Sequence, residues 1–246
     1  MDTLNGNTLW AESRKLEMSN VGVVFEVLKP GDKAPTGWKK ASGHLIYELK
    51  MDFTRKSRWV KDGHRTPNHK KSCYAGVVSC ESIQIALTYA ALHKIDVKAE
   101  DIQNAYLQAT PSEKHFIYCY EEFGLEHVGG VALIKSALYV GKAAGRDFWH
   151  HLRSSMEHLQ LKLGRADPDV WIQLARRKDG TDDYEYVLLY TDYCLVISEN
   201  SEKIPRNEIG KYFRLKEKSI GNPGKYLGGE LRKVELNNCI DFWEFS

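Results

Sequence analysis

Val187-Leu188-Leu189-Tyr190-Thr191-Asp192-Tyr193-Cys194-Leu195-Val196-Ile197 joins two apolar runs through a polar tip. Each run is four residues long and rich in branched and aromatic side chains, the composition of a buried strand. The pair predicts a hairpin with Thr191, Asp192 and Tyr193 at its tip. A turn aspartate usually satisfies its own backbone. Here a rigid sheet edge would hold the carboxylate, and a second carboxylate at the same place would make it a metal site.

Asp101 is the candidate second carboxylate: it follows the apolar stretch Ile95 to Val97 and precedes Asn104-Ala105-Tyr106-Leu107. Facing carboxylates at strand ends suit Mg²⁺, a hard ion that keeps waters and substrate phosphates in its shell. Two such ions can clamp both oxygens of a phosphoryl displacement.

Outward from these residues the chain mixes helices and strands. Trp10 to Ser19 predicts a helix with Trp10, Glu17 and Met18 on one face. Ile46 to Phe53 alternates with period two, as a half-buried strand does, and Arg58-Trp59-Val60 predicts another. Ser82 to Leu92 stripes Ile83, Ala86, Leu87, Ala90 and Ala91 on one side, with Ser79 as cap. Phe116 to Cys119 predicts a strand, and Arg146 to Leu159 a helix carrying Phe148, Leu152 and Met156. Ser201 to Phe213 predicts a polar-faced helix, and Tyr226 to Val234 a closing strand or hairpin. Helices interleaved irregularly with strands favour α+β over a doubly wound parallel sheet.

The 246 residues are 42% hydrophobic and 28% charged, enough for a sizeable core and unlike a disordered tail, a collagen-like fibre or a small disulfide scaffold. Lys and Arg number 35 against 33 Asp and Glu, so the net charge of +2 excludes nothing and the distribution matters more. Arg55, Lys56, Arg58, Lys61, Arg65, Lys70 and Lys71 face the single acid Asp62 between positions 54 and 71, a surface suited to phosphate. Lys142 and Arg146 around Gly141 and Gly145 suggest an anion-contacting helix start. Five cysteines without a C-x-x-C pair suggest a reducing, intracellular setting, in cytoplasm or nucleus; no secretory signal or membrane-length apolar run is visible. His64, His69, Cys73 and Cys80 could be drawn as a zinc site, but their spacing fits no common module, and the adjacent His150 and His151 point apart on a helix.

Taken in order, eight segments resemble the reverse transcriptase domain of Ty1/copia-type retrotransposons. They are Trp10-Ala11-Glu12 with Glu17-Met18; Lys56-Ser57-Arg58-Trp59-Val60; Tyr74-Ala75-Gly76-Val77-Val78; Asp101-Ile102-Gln103-Asn104-Ala105-Tyr106-Leu107; Leu138-Tyr139-Val140-Gly141-Lys142; Asp167-Pro168-Asp169-Val170-Trp171; Tyr190-Thr191-Asp192-Tyr193; and Phe213-Arg214-Leu215-Lys216 with Tyr226-Leu227-Gly228-Gly229.

The resemblance implies an RNA-directed DNA polymerase with a right-hand fold. Fingers would span about 1–81 and 116–135, palm about 82–115 and 136–213, and the primer grip and start of the thumb 214–246. Asp101 and Asp192 would be the catalytic carboxylates and hold two Mg²⁺ (Mn²⁺ as an alternative). Lys56, Arg58, Asn104, Ala105, Tyr106 and Lys142 would bind the nucleotide, with Tyr106 as steric gate; Tyr226, Leu227 and Gly228 would form the primer grip. Lys216 would lie near the leaving pyrophosphate. Partners would be an RNA template, a DNA or tRNA primer and deoxynucleoside triphosphates, with no membrane.

The family tip carries two aspartates, and here the second is Tyr193. Val140 stands where the family has Gly, Ala143 where it has Gln, and Gly145 where it has Pro. The chain stops soon after the primer-grip segment, as a piece of a decaying element would. The expectation is therefore a polymerase domain impaired at Tyr193, with a catalytically dead nucleic-acid-binding remnant as the alternative.

Overall fold

A computed structural model describes residues 2–66, 72–201, 203–216, 219–226, 229–235 and 241–245. In chain order these form helices α1 (Asp2–Asn5) and α2 (Leu9–Gly22), and strands β1 (Phe25–Val27), β2 (Lys39–Lys40), β3 (Gly43–Leu49) and β4 (Arg55–Lys61). Helix α3 (Cys80–His93) follows, then β5 (Asp96–Asp101), β6 (His115–Tyr118), β7 (Val131–Ile134) and helix α4 (Ala144–His158). The remaining strands are β8 (Lys162–Leu163), β9 (Val170–Arg176), β10 (Asp182–Tyr190), β11 (Tyr193–Ser198), β12 (Lys225–Tyr226), β13 (Gly229–Glu235) and β14 (Asp241–Phe245). The class is α+β, as expected. No helix among the described residues is long and apolar enough to cross a membrane.

The chain divides into two units, residues 1–74 with 106–148, and residues 75–105 with 149–246. The first contains a sheet in the order β1-β7-β6-β2 and the hairpin β3–β4. Its core gathers Val21, Val24, Trp59, Leu107, Ile117, Ala132 and Ile134. Phe25 and Phe123 meet Trp59 edge-on, with centroids 5.0 and 6.1 Å away. The free edge of β4 is closed by α2: Ser13 Oγ accepts from the Ser57 N–H and Glu17 Oε1 from the Trp59 N–H, each at 2.8 Å. Burial raises the Glu17 pKa, against the Trp59 N–H and the charges of Lys56 and Arg58. Two further expectations change here. The strand expected through Phe53 ends at Leu49, because residues 50–54 make the hairpin turn. Arg146 is buried and bonds Asp147, Ser112 and the Ser72 carbonyl, so it is an internal brace rather than an anion contact.

The second unit is built on the sheet β5-β11-β10-β9-β8, with β12-β13-β14 as a smaller sheet. Helix α3 packs its predicted stripe, Ile83, Ala86, Leu87 and Ala90, on Val97, Ala99, Leu188, Leu195 and Ile197. Ser79 Oγ caps α3 by accepting from the Ser82 N–H. Asp167 accepts from the Ser79 N–H and the Ser82 hydroxyl, tying the loop before β9 to that helix start. These bonds hold the Asp167 carboxyl below the usual carboxylate range although burial opposes them. The helix expected over 201–213 is reduced to a π turn, Ile204–Glu208, and a 3₁₀ turn, Ile209–Lys211. Pro205 lacks the N–H that a regular helix interior requires.

Candidate active site

The register of β10 and β11 sets Tyr190 opposite Tyr193, so the turn has two central residues, Thr191 and Asp192. Tyr193, expected in the tip, instead begins β11. Thr191 adopts φ 53°, a left-handed conformation costly for a β-branched residue, on the order of 1–3 kcal/mol. The strained tip is held from several sides. The Ile102 N–H donates to the Asp192 carbonyl at 2.8 Å, the Val78 N–H to Leu189 at 3.0 Å, and the Leu189 N–H to Asp169 at 2.9 Å. The rings of Tyr190 and Tyr193 lean on Tyr226, at 6.0 and 6.2 Å, and the Tyr226 hydroxyl donates to the Leu188 carbonyl at 3.0 Å.

Asp101 is the last residue of β5 and lies opposite Tyr193. Neighbouring strand ends thus bring Asp101 and Asp192 to one end of the sheet. The segment after Phe213 runs along the other side of β5. The Lys216 N–H donates to the Asp101 carbonyl at 3.0 Å, and Lys216 Nζ donates to Asp101 Oδ2 at 2.8 Å. That hydrogen bond, then the Asp101 charge, pushes the Lys216 pKa up, with Tyr193 and Asp192 adding to it. Lys216 is largely exposed, so the pair contributes about 1 kcal/mol at most.

The neighbouring Glu100 belongs to the opposite face of the sheet and is fully buried, across from Cys194. Among the described residues neither of its carboxyl oxygens has a hydrogen-bond partner, and burial pushes its pKa up to about 8. The Cys194 thiol is pushed up by burial first, then by Glu100, Asp192 and Asp101. Sequence reading passed over Glu100, because it continues the charged alternation Asp96, Lys98, Glu100 along β5 and so looks like part of a polar face.

The other expected residues distribute as follows. Asn104 and Ala105 share the second unit with the tip; Asn104 takes φ 50°, which Asn tolerates, and Ala105 is buried. Lys56, Arg58, Tyr106 and Lys142 belong to the first unit. Arg58 Nη1 donates to Glu48 Oε2 at 2.6 Å, and Lys142 Nζ to the Thr66 carbonyl at 2.8 Å. The Tyr106 ring meets Tyr139 and Phe148 edge-on at 5.7 and 5.9 Å. Leu227 and Gly228 of the expected primer grip, and His69, Lys70 and Lys71, lie outside the described residues.

Val140 is exposed and sits at φ 63° in the turn closed by the Gly141 N–H on the Leu138 carbonyl. Glycine suits that conformation, so Val140→Gly is expected to stabilise the protein by about 1 kcal/mol, relief of strain exceeding the added chain entropy. A raised urea midpoint at unchanged slope would show it; an unchanged or lower midpoint would mean the position carries no strain.

Among the described residues no group of three or more His, Cys, Asp or Glu could by itself hold a metal ion. What the tip offers is two carboxylates, hard oxygen donors that fit a Mg²⁺ whose other positions are filled by phosphate and water.

Residues 24–241 match the family model described as reverse transcriptase (RNA-dependent DNA polymerase). A relative among curated proteins is the retrovirus-related Pol polyprotein from transposon TNT 1-94 of Nicotiana tabacum, 24% identical over 209 residues. That alignment takes in 79% of this chain and 15% of the polyprotein. With the match covering most of its length, the chain belongs to the reverse transcriptase (RNA-dependent DNA polymerase) family, as a domain of the Ty1/copia retrotransposon type.

Proposed function

We propose that this domain transfers deoxynucleotides to a primer 3′-OH against an RNA template, with Asp101 and Asp192 as its catalytic, metal-holding carboxylates. The observation that carries this reading is the bond from the Ile102 N–H to the Asp192 carbonyl, which sets two sequence-distant aspartates on adjacent strand ends. Bound there, divalent ions would neutralise charge on the attacking and leaving oxygens.

In this reading residues of about 1–81 and 116–135 contribute the fingers, about 82–115 and 136–213 the palm, and 214–246 the primer grip and the start of the thumb. Lys56 and Arg58 would receive the triphosphate, Arg58 through its planar fork. Arg58 must first leave Glu48. The two side chains are 36% and 50% exposed, and such a pair is worth only about 0.2–1 kcal/mol, so the exchange is easy. Tyr106, braced by two rings, would exclude a nucleotide 2′-OH, and Asn104 and Ala105 would bind the nucleotide. Lys142 would contact the nucleotide, and Tyr226 with Leu227 and Gly228 would grip the primer. Lys216 would hold a positive charge beside the departing pyrophosphate.

A second reading, a nucleic-acid-binding remnant without turnover, is favoured by Tyr193 in place of the second tip carboxylate and by Lys216 on Asp101. Primer extension on an RNA template with Mg²⁺ or Mn²⁺ separates the two. The polymerase reading expects metal-dependent extension that Asp101→Asn abolishes. Salt-sensitive primer–template binding with no extension, in the parent and in Tyr193→Asp, supports the remnant. Neither binding nor extension overturns both.

A further inference from the structure

A small cavity lies within the first unit, between the end of β4, the loop before β6 and the start of α4. The Lys61 N–H donates to the Tyr139 carbonyl at 3.1 Å, which sets the end of β4 beside the turn that opens α4. Lys61, Glu113, His115, Ser136, Lys142 and Asp147 supply the polar wall. The cavity holds about 30 Å³, more than one water needs and far below the size of an organic-ligand site, so a nucleotide does not fit.

Each acid in this wall is held by a cation other than Lys61. Asp147 Oδ1 accepts from Arg146 Nη2 at 2.7 Å, and Glu113 Oε1 from Lys39 Nζ at 3.0 Å. Among the described residues Lys61 forms no ion pair; its Nζ donates to His115 Nδ1 at 3.1 Å. That bond leaves the imidazole proton on Nε2. The His115 side chain is 2% exposed, and its Nε2, 3.8 Å from Glu113, has no hydrogen-bond partner among the described residues. Burial lowers the Lys61 pKa, against the charges of Glu113 and Asp147, and burial followed by Lys61 lowers that of His115. Lys142 also lines the cavity, with Nζ on the Thr66 carbonyl at 2.8 Å. A buried charge is normally paired, and here a half-buried ammonium, an orphaned imidazole N–H and the positive end of a helix surround an ion-sized space.

We propose that this cavity is a binding site for one small inorganic anion of halide size, held against the Lys61 ammonium at the start of α4, with Lys142 adding charge. The anion supplies the counter-charge that Lys61 lacks, and the helix start favours it. The site goes beyond the polymerase reading and does not depend on it.

The test is thermal melting of the full chain in sodium gluconate, with chloride or bromide replacing gluconate at constant ionic strength. Gluconate is too large for the cavity. Halide is expected to raise the parent's Tm by roughly 2–4 °C along a saturating curve. Lys61→Met keeps the alkyl stem and is expected to abolish that response. Bromide soaked into crystals of the parent gives a readout that needs no variant, an anomalous peak in contact with Lys61 Nζ. A parent without a halide response, an equal response in Lys61→Met, or water in place of bromide beside Lys61 each overturns the site.

Discussion

Tyr193→Asp is expected to raise the rate of single-nucleotide extension by roughly 10²–10³, the usual worth of one electrostatic stabiliser in a preorganised site. Tyr193 begins β11 directly opposite Asp101, so the substitution sets a carboxylate across from the one already there. A phenol offers no carboxylate at that position. The change has a structural cost, because the Tyr193 ring leans on Tyr226 and such a contact is worth about 0.5–1.5 kcal/mol. It also places like charges close together, which disfavours their joint ionisation. Divalent metal relieves that repulsion, and Lys216, already on Asp101, relieves part of it. Two signatures therefore belong together: Tyr193→Asp melts below the parent without metal, and Mg²⁺ raises its Tm more than the parent's. Faster extension accompanied by the larger Mg²⁺ shift supports Asp101 and Asp192 as metal ligands. A folded variant showing neither would remove this tip from the chemistry.

The tip hairpin was legible because both of its strands are apolar and its turn is polar. Its register was not, since the aromatic Tyr193 fits either a tip or a strand, and pairing with Tyr190 settles it. The period-two signal at Ile46 ran on through Phe53 because Met51 and Phe53 are apolar without being buried; alternation reports residue type, and the turn is made by backbone bonds. The α3 stripe was readable since its burial follows one helical period. The long-range bonds within each unit were not. Glu17 on the Trp59 N–H, Asp167 on the start of α3 and Lys216 on Asp101 each join a side chain to a partner far along the chain, and no local period encodes them. Asp192, Asp101, Lys142 and the basic stretch with Lys56 and Arg58 stood out by local pattern; Asn104, Ala105, Tyr106, Tyr226, Leu227 and Gly228 were chosen only because the family resemblance ordered them.

Glu100 should make the domain lose stability as pH rises, and its replacement should reverse that. The carboxyl titrates near 4.5 when exposed in the unfolded chain and at about 8 in the folded one. Below pH 4.5 both states hold the proton and the penalty vanishes. Above that the unfolded chain ionises first, so stability falls progressively and levels off beyond about pH 8. The interval from 4.5 to 7 corresponds to about 3 kcal/mol lost at neutral pH, and the full interval to about 5 kcal/mol. Against a typical total of about 5–15 kcal/mol this is a large fraction. Glu100→Gln abolishes the titration but keeps a buried polar group, whose unmet hydrogen bonds cost about 1–3 kcal/mol. Glu100→Met keeps the chain length and removes both penalties, so the expected order at pH 7 is Met above Gln above the parent. Urea midpoints at pH 5, 7 and 8.5 measure it. A parent whose stability does not fall over that range, or a Met variant no more stable than the parent at pH 7, would mean that Glu100 has a partner or water that satisfies its charge. The penalty then would not exist, and the strand bearing Asp101 would carry no buried-charge defect beside that residue.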